Sequence, residues 1–356
     1  MNISEDPIPH SKPTLGLEEA EAVTRVIESG QISQAENVAA FEKGLSKKVQ
    51  RDSGLAVNSG TSALHLSLLA LGAGSGQEVI IPGYVCNALL NAVNYTEASP
   101  VLADVEPQTF NMDPEDVRRR LTPKTSAIIV PHLFGLAADM NAFEELGPPV
   151  IEDCAQAIGG FCRGRPVGSF GQLSIFSFYA TKVITTAEGG MVAGDAPDLI
   201  STVRDHREYD QPPDNRVRYN YKMSDLSGAL GLIQLQRLPE FISKRRLIAA
   251  RYSKNLDGLD LIRPTEKAGE GHIFYRYVVR LRKEKFDSII TFLNKAGIAA
   301  SRPVFRTLAS YLDVEDGFPG TKEAFETALS LPIYPGLSLQ SVDRVSETLA
   351  HAMDRV

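Results

Sequence analysis

QEVIIP (77–82), SPVLADV (99–105), TSAIIVPHLFG (125–135) and PPVIEDC (148–154) are short apolar runs bounded by Pro, Gly or acidic residues, and their recurrence decides the fold. Between them, PEDVRRRL (114–121) and ADMNAFEEL (138–146) have helical spacing, with Asp113 placed to cap the first and Pro114 to fill its first turn. Strands alternating with helices predict an α/β fold with a mostly parallel sheet. LSIFSFY (173–179), GGMVAGD (189–195) and HIFYRYVVRL (272–281) add strands. Upstream, LEEAEAVTRVIES (17–29) predicts an amphipathic helix stopped by Gly30. From Asp225 the chain turns helical through LSGALGLIQLQRL (226–238) and FISKRRLIAARYSKNL (241–256), followed by a strand, the helix KFDSIITFLNKAG (285–297) and a last helix over 342–353. This pattern predicts a large domain over 1–240 and a smaller α+β domain over 241–356, reached through a long helix. DQPPDNRVRYN (210–220), rich in Pro, Asp and Asn, is expected as an exposed loop.

Composition removes several classes of function. A hydrophobic content of 43% with 23% charged residues fits a globular chain, and no apolar stretch is long enough for a membrane span. The N-terminus MNISEDPIPHSKP has no apolar signal core, so a cytoplasmic location is expected. A net charge of -7 without a long basic run argues against a nucleic-acid partner. Three scattered cysteines (Cys86, Cys154, Cys162) fit reduced thiols, and six dispersed histidines give no local metal-binding spacing.

Three segments carry chemistry. Asn58-Ser59-Gly60-Thr61-Ser62 opens the apolar helix ALHLSLLALG (63–72), so free backbone N–H groups and the helix dipole can hold an anion such as phosphate; the plainer alternative is that Thr61 or Ser62 only caps the helix. GAGSG (72–76) is not a dinucleotide fingerprint, because it follows a helix and precedes a strand. In VIEDCAQ (150–156) a buried strand ends on acids, where open α/β sheets place ligands; Asp153 there can pair with a protonated pyridine nitrogen or merely cap a helix. In SIFSFYATKVITTAEGG (174–190) an alternating strand delivers Lys182 into a loop closed by Gly189 and Gly190. A lone lysine is usually a solvated charge, but a lysine in a dry site can act as an imine-forming nucleophile, and Ser177 can add a hydroxyl to a phosphate site.

Those motifs, together with KPTLGLEEAEAVTRVIESG (12–30), PVLADVEPQTFNMDP (100–114), PHLFGLAADM (131–140), NYKMSDLSGALGLIQL (220–235) and LSLPIYPGLS (329–338), resemble the DegT/DnrJ/EryC1/StrS family of sugar aminotransferases over nearly the whole chain. The resemblance implies the fold type I, aspartate-aminotransferase-like architecture, pyridoxal 5′-phosphate as cofactor, L-glutamate as amino donor, a keto-sugar nucleotide as acceptor, and a homodimer with composite active sites. It makes Lys182 the Schiff-base lysine that also moves the substrate proton, and pairs Asp153 with the pyridinium nitrogen. It sets Gln156 against the ring or its phenolic oxygen, and assigns the phosphate to Gly60, Thr61, Ser62, Ser177 and, from the partner subunit, Asn220. The ring-stacking position falls at Cys86, with Tyr84 as rival and as a substrate contact. Tyr179 stands where many relatives have histidine, Ala187 where they have glycine, and SGQISQAEN (29–37) departs from the usual loop; each lies near the expected acceptor pocket and leaves a sugar, an aminocyclitol ketone or another acceptor open. A related dehydrase branch has histidine at the lysine position, so Lys182 favours transamination. The alternative from another class is a regulatory or scaffolding protein that keeps this fold without turnover.

Overall fold

The computed structural model describes residues 6–210, 214–266 and 269–355. Within these, a seven-stranded sheet is built from β1 (Ser53–Val57), β2 (Glu78–Pro82), β3 (Ser99–Ala103), β4 (Thr125–Pro131), β5 (Val150–Asp153), β8 (Leu173–Ser177) and β9 (Gly190–Gly194). A small hairpin of β6 (Phe161–Cys162) and β7 (Arg165–Pro166) lies between β5 and β8 in sequence. The sheet order is β1-β9-β8-β5-β4-β2-β3; the β2, β3, β4, β5 and β8 pairings are parallel, and β9 alone runs against both neighbours. The mostly parallel sheet expected from the apolar runs is therefore present.

Strand alternation divides the sheet into two apolar faces. Val57, Val79, Ile81, Ile129, Ile151 and Ile175 face α3 (Gly60–Ala70), α4 (Ala88–Tyr95) and, later in the chain, α7 (Pro197–Arg207). Ala56, Ile80, Ile128, Val130, Val150 and Phe176 face α2 (Glu36–Lys48), α5 (Pro114–Arg120), α6 (Met140–Glu144) and α8 (Asp225–Asn255). α1 (Leu17–Ser29) has the bounds read from sequence, with Gly30 in the left-handed region at φ 72°. Asp113 caps α5 by accepting from the Glu115 N–H at 2.9 Å.

The two helical segments read after Asp225 form one helix of 31 residues with Pro239 inside it. Its Leu238 and Phe241 pack under the sheet, while Ile248, Ala249 and Tyr252 enter a second core. That core also takes β10 (Tyr277–Arg280), α9 (Phe286–Lys295), β11 (Ala328–Leu331) and α12 (Leu339–Arg355), with Ile8 bridged to Ile298. HIFYRYVVRL forms a strand only over Tyr277–Arg280, because its first residues hydrogen-bond to the turn after β4 instead: the Ile273 N–H donates to the Gly135 carbonyl at 3.0 Å. α10 (Leu308–Tyr311) and α11 (Pro319–Thr327) return to the first core through Leu308, Phe318 and Ala324. We propose residues 241–356 as a small domain on the basis of this second core, with the segment around Ile8 as an added strand. Of the expected 210–220 loop, residues 211–213 lie outside the described residues, as do residues 1–5 of the N-terminus; 214–217 are exposed.

One buried side chain fixes the loop that departs most from the family pattern. The N-cap of α2, Ala35, has no side chain to offer its helix. Asp225, at 2% exposure, takes that role from 190 residues away, accepting from the Ala35 and Val38 N–H groups at 3.0 Å and from Asn37 Nδ2 at 2.6 Å. Asp225→Ala would leave these donors without partners, and the expected loss is about 2–3 kcal/mol of unfolding free energy in a denaturant titration.

Candidate active site

The expected site residues converge at the carboxyl ends of the parallel strands, the ligand edge of an open α/β sheet. Asp153 pairs in register with Ile175, so Asp153, Ile175 and Ser177 project from one face, the face that α3 covers. Asp153 is 6% exposed; its Oδ1 accepts from the Ala155 N–H at 2.9 Å, and among the described residues its Oδ2 has no hydrogen bond. Burial pushes its pKa above the ordinary carboxylate value, and the Ala155 N–H, the Lys182 charge and His132 offset only part of that.

The preceding acid points the other way and is used up by the fold. Glu152 accepts from the Gly168 N–H at 2.7 Å, the Phe170 N–H at 2.8 Å and His132 Nε2 at 2.9 Å. His132 Nδ1 accepts from the Ala138 N–H at 3.0 Å, which assigns the ring proton to Nε2. His132, Glu152 and Cys154 bring potential metal ligands within 4.8 Å of one another. Both imidazole nitrogens and both carboxylate oxygens are committed, however, and burial pushes the Cys154 thiol up, so the trio reads as a structural knot.

The phosphate-type cradle lies where α3 starts. Ser59 caps the helix, its Oγ accepting from the Ser62 N–H at 3.0 Å, while Ser62 Oγ donates to Asn58 Oδ1 at 2.6 Å. The Ser62 hydroxyl is thus turned back into the cap. The N–H groups of Gly60 and Thr61 and the hydroxyls of Thr61 and Ser177 have no partner among the described residues. A Cβ on Gly60 would come within 2.8 Å of Ser177 Cβ, so only glycine lets helix start and strand end close around an anion.

The loop carrying Lys182 is tied down on both sides. The Lys182 N–H donates to the Tyr179 carbonyl at 2.9 Å, the Phe178 N–H to Gly189 at 2.9 Å, and the Thr186 N–H to Phe178 at 2.9 Å. The Thr185 N–H donates to Gln234 Oε1 of α8 at 3.2 Å. Val183, Ile184, Thr185 and Thr186 are all buried, leaving Lys182 half-buried with its Nζ 5.4 Å from the ring centre of Tyr275.

The remaining residues divide by exposure. Gln156 Oε1 accepts from the Phe134 N–H at 3.0 Å, which fixes its carboxamide beside the turn after β4. Cys86 is exposed, whereas Tyr84 is wholly buried, its ring stacked on Phe110 at 5.9 Å and its hydroxyl unpartnered. Tyr179 is 49% exposed at the rim. Asn220 is exposed, and its carbonyl accepts from Asn58 Nδ2 at 3.2 Å. Sequence reading missed Tyr275, which faces Lys182 from within the same core that holds Val183 and Ile184; it lies in HIFYRYVVRL, whose apolar and aromatic residues signal only a strand.

Pyridoxal phosphate fits this arrangement on the structure's own terms. It would bring a ring nitrogen to a buried carboxylate with one oxygen free, a phosphate to unpartnered N–H and hydroxyl groups, and an aldehyde to a tethered amine.

Residues 13–350 match the DegT/DnrJ/EryC1/StrS aminotransferase family. The GDP-perosamine synthase of Caulobacter vibrioides is 36% identical over 328 residues, which is 87% of this chain and 88% of that protein. The spore coat polysaccharide biosynthesis protein SpsC of Bacillus subtilis is 33% identical over 375 residues, 96% of each. Among solved structures, the PLP form of Spr1654 from Streptococcus pneumoniae, regarded as a sugar aminotransferase, superposes with a TM-score of 0.93 at 27% identity, covering 98% of this chain and 99% of that one.

The buried carboxylate has a measurable signature. Because the folded pKa of Asp153 is raised, its contribution to stability is complete below the ordinary Asp value and is lost as pH rises through the folded pKa. Asp153→Asn is therefore expected to raise the melting temperature of the ligand-free chain at pH 7, by about 2 °C, with a smaller gain at pH 4.5. A thermal melt showing the gain shrinking as pH rises would contradict that assignment.

Proposed function

Because the chain belongs to the DegT/DnrJ/EryC1/StrS aminotransferase family, and is a PLP-dependent aminotransferase of amino-sugar biosynthesis, we propose that it transfers the amino group of L-glutamate to the keto carbon of a nucleotide-linked sugar. The observation that carries this reading is the convergence of Lys182, Asp153 and the α3 cradle at one edge of the sheet. The likeness to GDP-perosamine synthases makes a nucleoside-diphosphate keto sugar the first acceptor to test, and the likeness to a spore coat polysaccharide protein supports a product destined for surface polysaccharide. No helix among the described residues is long and apolar enough to cross a membrane. We place the protein in the cytoplasm, where thiols such as Cys154 and Cys162 stay reduced.

The residue roles follow from position. When bound, pyridoxal phosphate supplies an aldehyde that takes up amines covalently and a pyridine ring that withdraws electrons from the carbon losing its proton. Asp153 keeps a proton on the ring nitrogen: a carboxylate raised in pKa by burial gains most from a cationic partner. The Gly60 and Thr61 N–H groups, with the Thr61 and Ser177 hydroxyls, hold the phosphate, while Ser62 shapes the turn that presents them. Lys182 Nζ would anchor the cofactor through its aldehyde and is the group that would move the substrate proton. Gln156, held by Phe134, fixes the ring edge; Cys86 stands at the expected stacking position and Tyr179 at the acceptor rim. Asn220, exposed in its own chain, reaches the phosphate of a partner subunit in a homodimer with composite sites.

Two measurements test these assignments. After incubation with PLP and borohydride reduction, peptide mass analysis should find the cofactor on the Lys182 peptide alone. Lys182→Ala should lose the label and at least about 1000-fold of glutamate turnover; a label elsewhere with turnover retained would refute the role. Mixing Lys182→Ala with Asn220→Ala subunits should restore one tight PLP site per heterodimer. No recovery would mean that Asn220 serves its own chain.

A further inference from the structure

Arg276 stands just before β10 and is half-buried, yet among the described residues it meets no carboxylate. Its Nη1 lies 3.1 Å from Nε2 and 3.2 Å from Nδ1 of His10, and its guanidinium carbon is 5.4 Å from the ring centre of Tyr275. His10 cannot balance the charge, since burial, and then Arg276 itself, push its pKa down to about 3. Three nearby arginines have carboxylates, Arg302 with Asp287 at 3.3 Å, Arg251 with Asp343 at 2.6 Å and Arg246 with Glu266 at 3.0 Å, while the buried Arg245 donates to the Phe274, Tyr275 and Ile333 carbonyls. A partly desolvated guanidinium without a counter-charge is costly unless a ligand supplies one.

Its surroundings favour an anion. The Tyr275 ring that meets Arg276 also meets Lys182 Nζ at 5.4 Å, so the two cations are within about 11 Å of each other. Burial alone would push the Tyr275 phenol up, but Lys182, Arg276, a Thr181 hydrogen bond and Arg245 outweigh it and leave its pKa below the usual value, the mark of a positive local field. Tyr84 lies in the same field: wholly buried, near Arg302 and Arg276, its hydroxyl has no hydrogen-bond partner among the described residues. The cleft beside Arg276 has apolar walls from Phe110, Leu133, Phe134 and Val278, polar ones from Gln108 and Thr109, and His272, which burial keeps neutral above about pH 4.

We infer that Arg276 is the cation that binds a carboxylate of the amino donor. The inference rests on the aminotransferase reading and adds a specificity residue to it. The amine of a donor amino acid must come to the atom that Lys182 Nζ occupies, and its carboxylates then fall within the span separating the two cations. A nucleotide diphosphate needs an opening to solvent, whereas this cleft is narrow, and among the described residues the guanidinium is its only charged lining group.

The test uses PLP-loaded Arg276→Gln and Arg276→Lys. Losing a charge-assisted contact should raise the KM for L-glutamate about 10- to 150-fold in Arg276→Gln, with the acceptor KM within about twofold of the native value. Glutarate, a donor mimic without an amine, should bind to the loaded enzyme more weakly by a similar factor in calorimetry, and Arg276→Lys should recover part of both losses. A parallel loss with L-alanine would assign the α-carboxylate; a loss confined to glutamate would assign the side-chain carboxylate. An unchanged glutamate KM and glutarate affinity, or a rise in the acceptor KM instead, would overturn the inference. Should Arg276→Gln fail to fold, Arg276→Lys decides by the same criteria, since it keeps the charge but loses the paired hydrogen-bond geometry. If the native enzyme neither holds PLP at Lys182 nor accepts glutamate, the aminotransferase reading falls; if it does both while the variants match it, only Arg276 does.

Discussion

The site depends on the opposite fates of two adjacent carboxylates at the end of β5. Strand alternation sends Glu152 to one face and Asp153 to the other. Glu152 is saturated by two backbone N–H groups and His132, and in return pins the 168–170 turn. Asp153 emerges among apolar residues with a single N–H donor on one oxygen. The fold thus satisfies one acid completely and leaves the other under a desolvation cost that a cationic ligand can relieve. A shift of one residue in β5 would exchange the two and bring a satisfied acid to the cleft.

The other site parts are arranged around that acid by devices of the same kind. Gly60 lets the helix start come against Ser177, two residues beyond the Ile175 that pairs with Asp153. The Lys182 loop is closed by Phe178–Gly189 and Phe178–Thr186 hydrogen bonds and tethered to α8 through Gln234, which also holds the Thr14 carbonyl at 3.0 Å and Glu19 at 2.7 Å. The Lys182 loop is therefore held by the sheet, the long helix and the N-terminal segment together, the kind of support a narrow site geometry requires.

Much of this was legible in the sequence because it is local. The apolar runs of the parallel strands, the Asp113 cap, the Gly30 stop and the α3 start each declare themselves within about ten residues. What stayed hidden comes from chain segments far apart. Asp225 capping α2 is a contact across 190 residues, and Tyr275, far along the chain, packs into the sheet-side core beside the Lys182 loop. HIFYRYVVRL looked like one strand because its residues are mostly apolar or aromatic, and periodicity cannot say that its first half would bind the turn after β4. The break at Pro239 is the converse case: a residue that usually ends a helix sits inside one, because both halves of α8 have cores to pack against.

The departures from the family pattern acquire a physical meaning once placed. Ala187, where relatives have glycine, adopts φ 68°, a left-handed conformation that costs a non-glycine residue about 1–2 kcal/mol. It is held there by its N–H donating to Thr185 Oγ1 at 3.0 Å and by Thr186 Oγ1 donating to the Glu188 carbonyl at 2.6 Å. The two threonines therefore stiffen a turn in which glycine would add freedom, directly behind the Lys182 loop. The 29–37 segment is fixed from α8 through Asp225 rather than through its own cap. In both places side chains of this chain, the threonines at 185 and 186 and Asp225, hold the backbone by hydrogen bonds, so each segment is fixed by the chain's own residues.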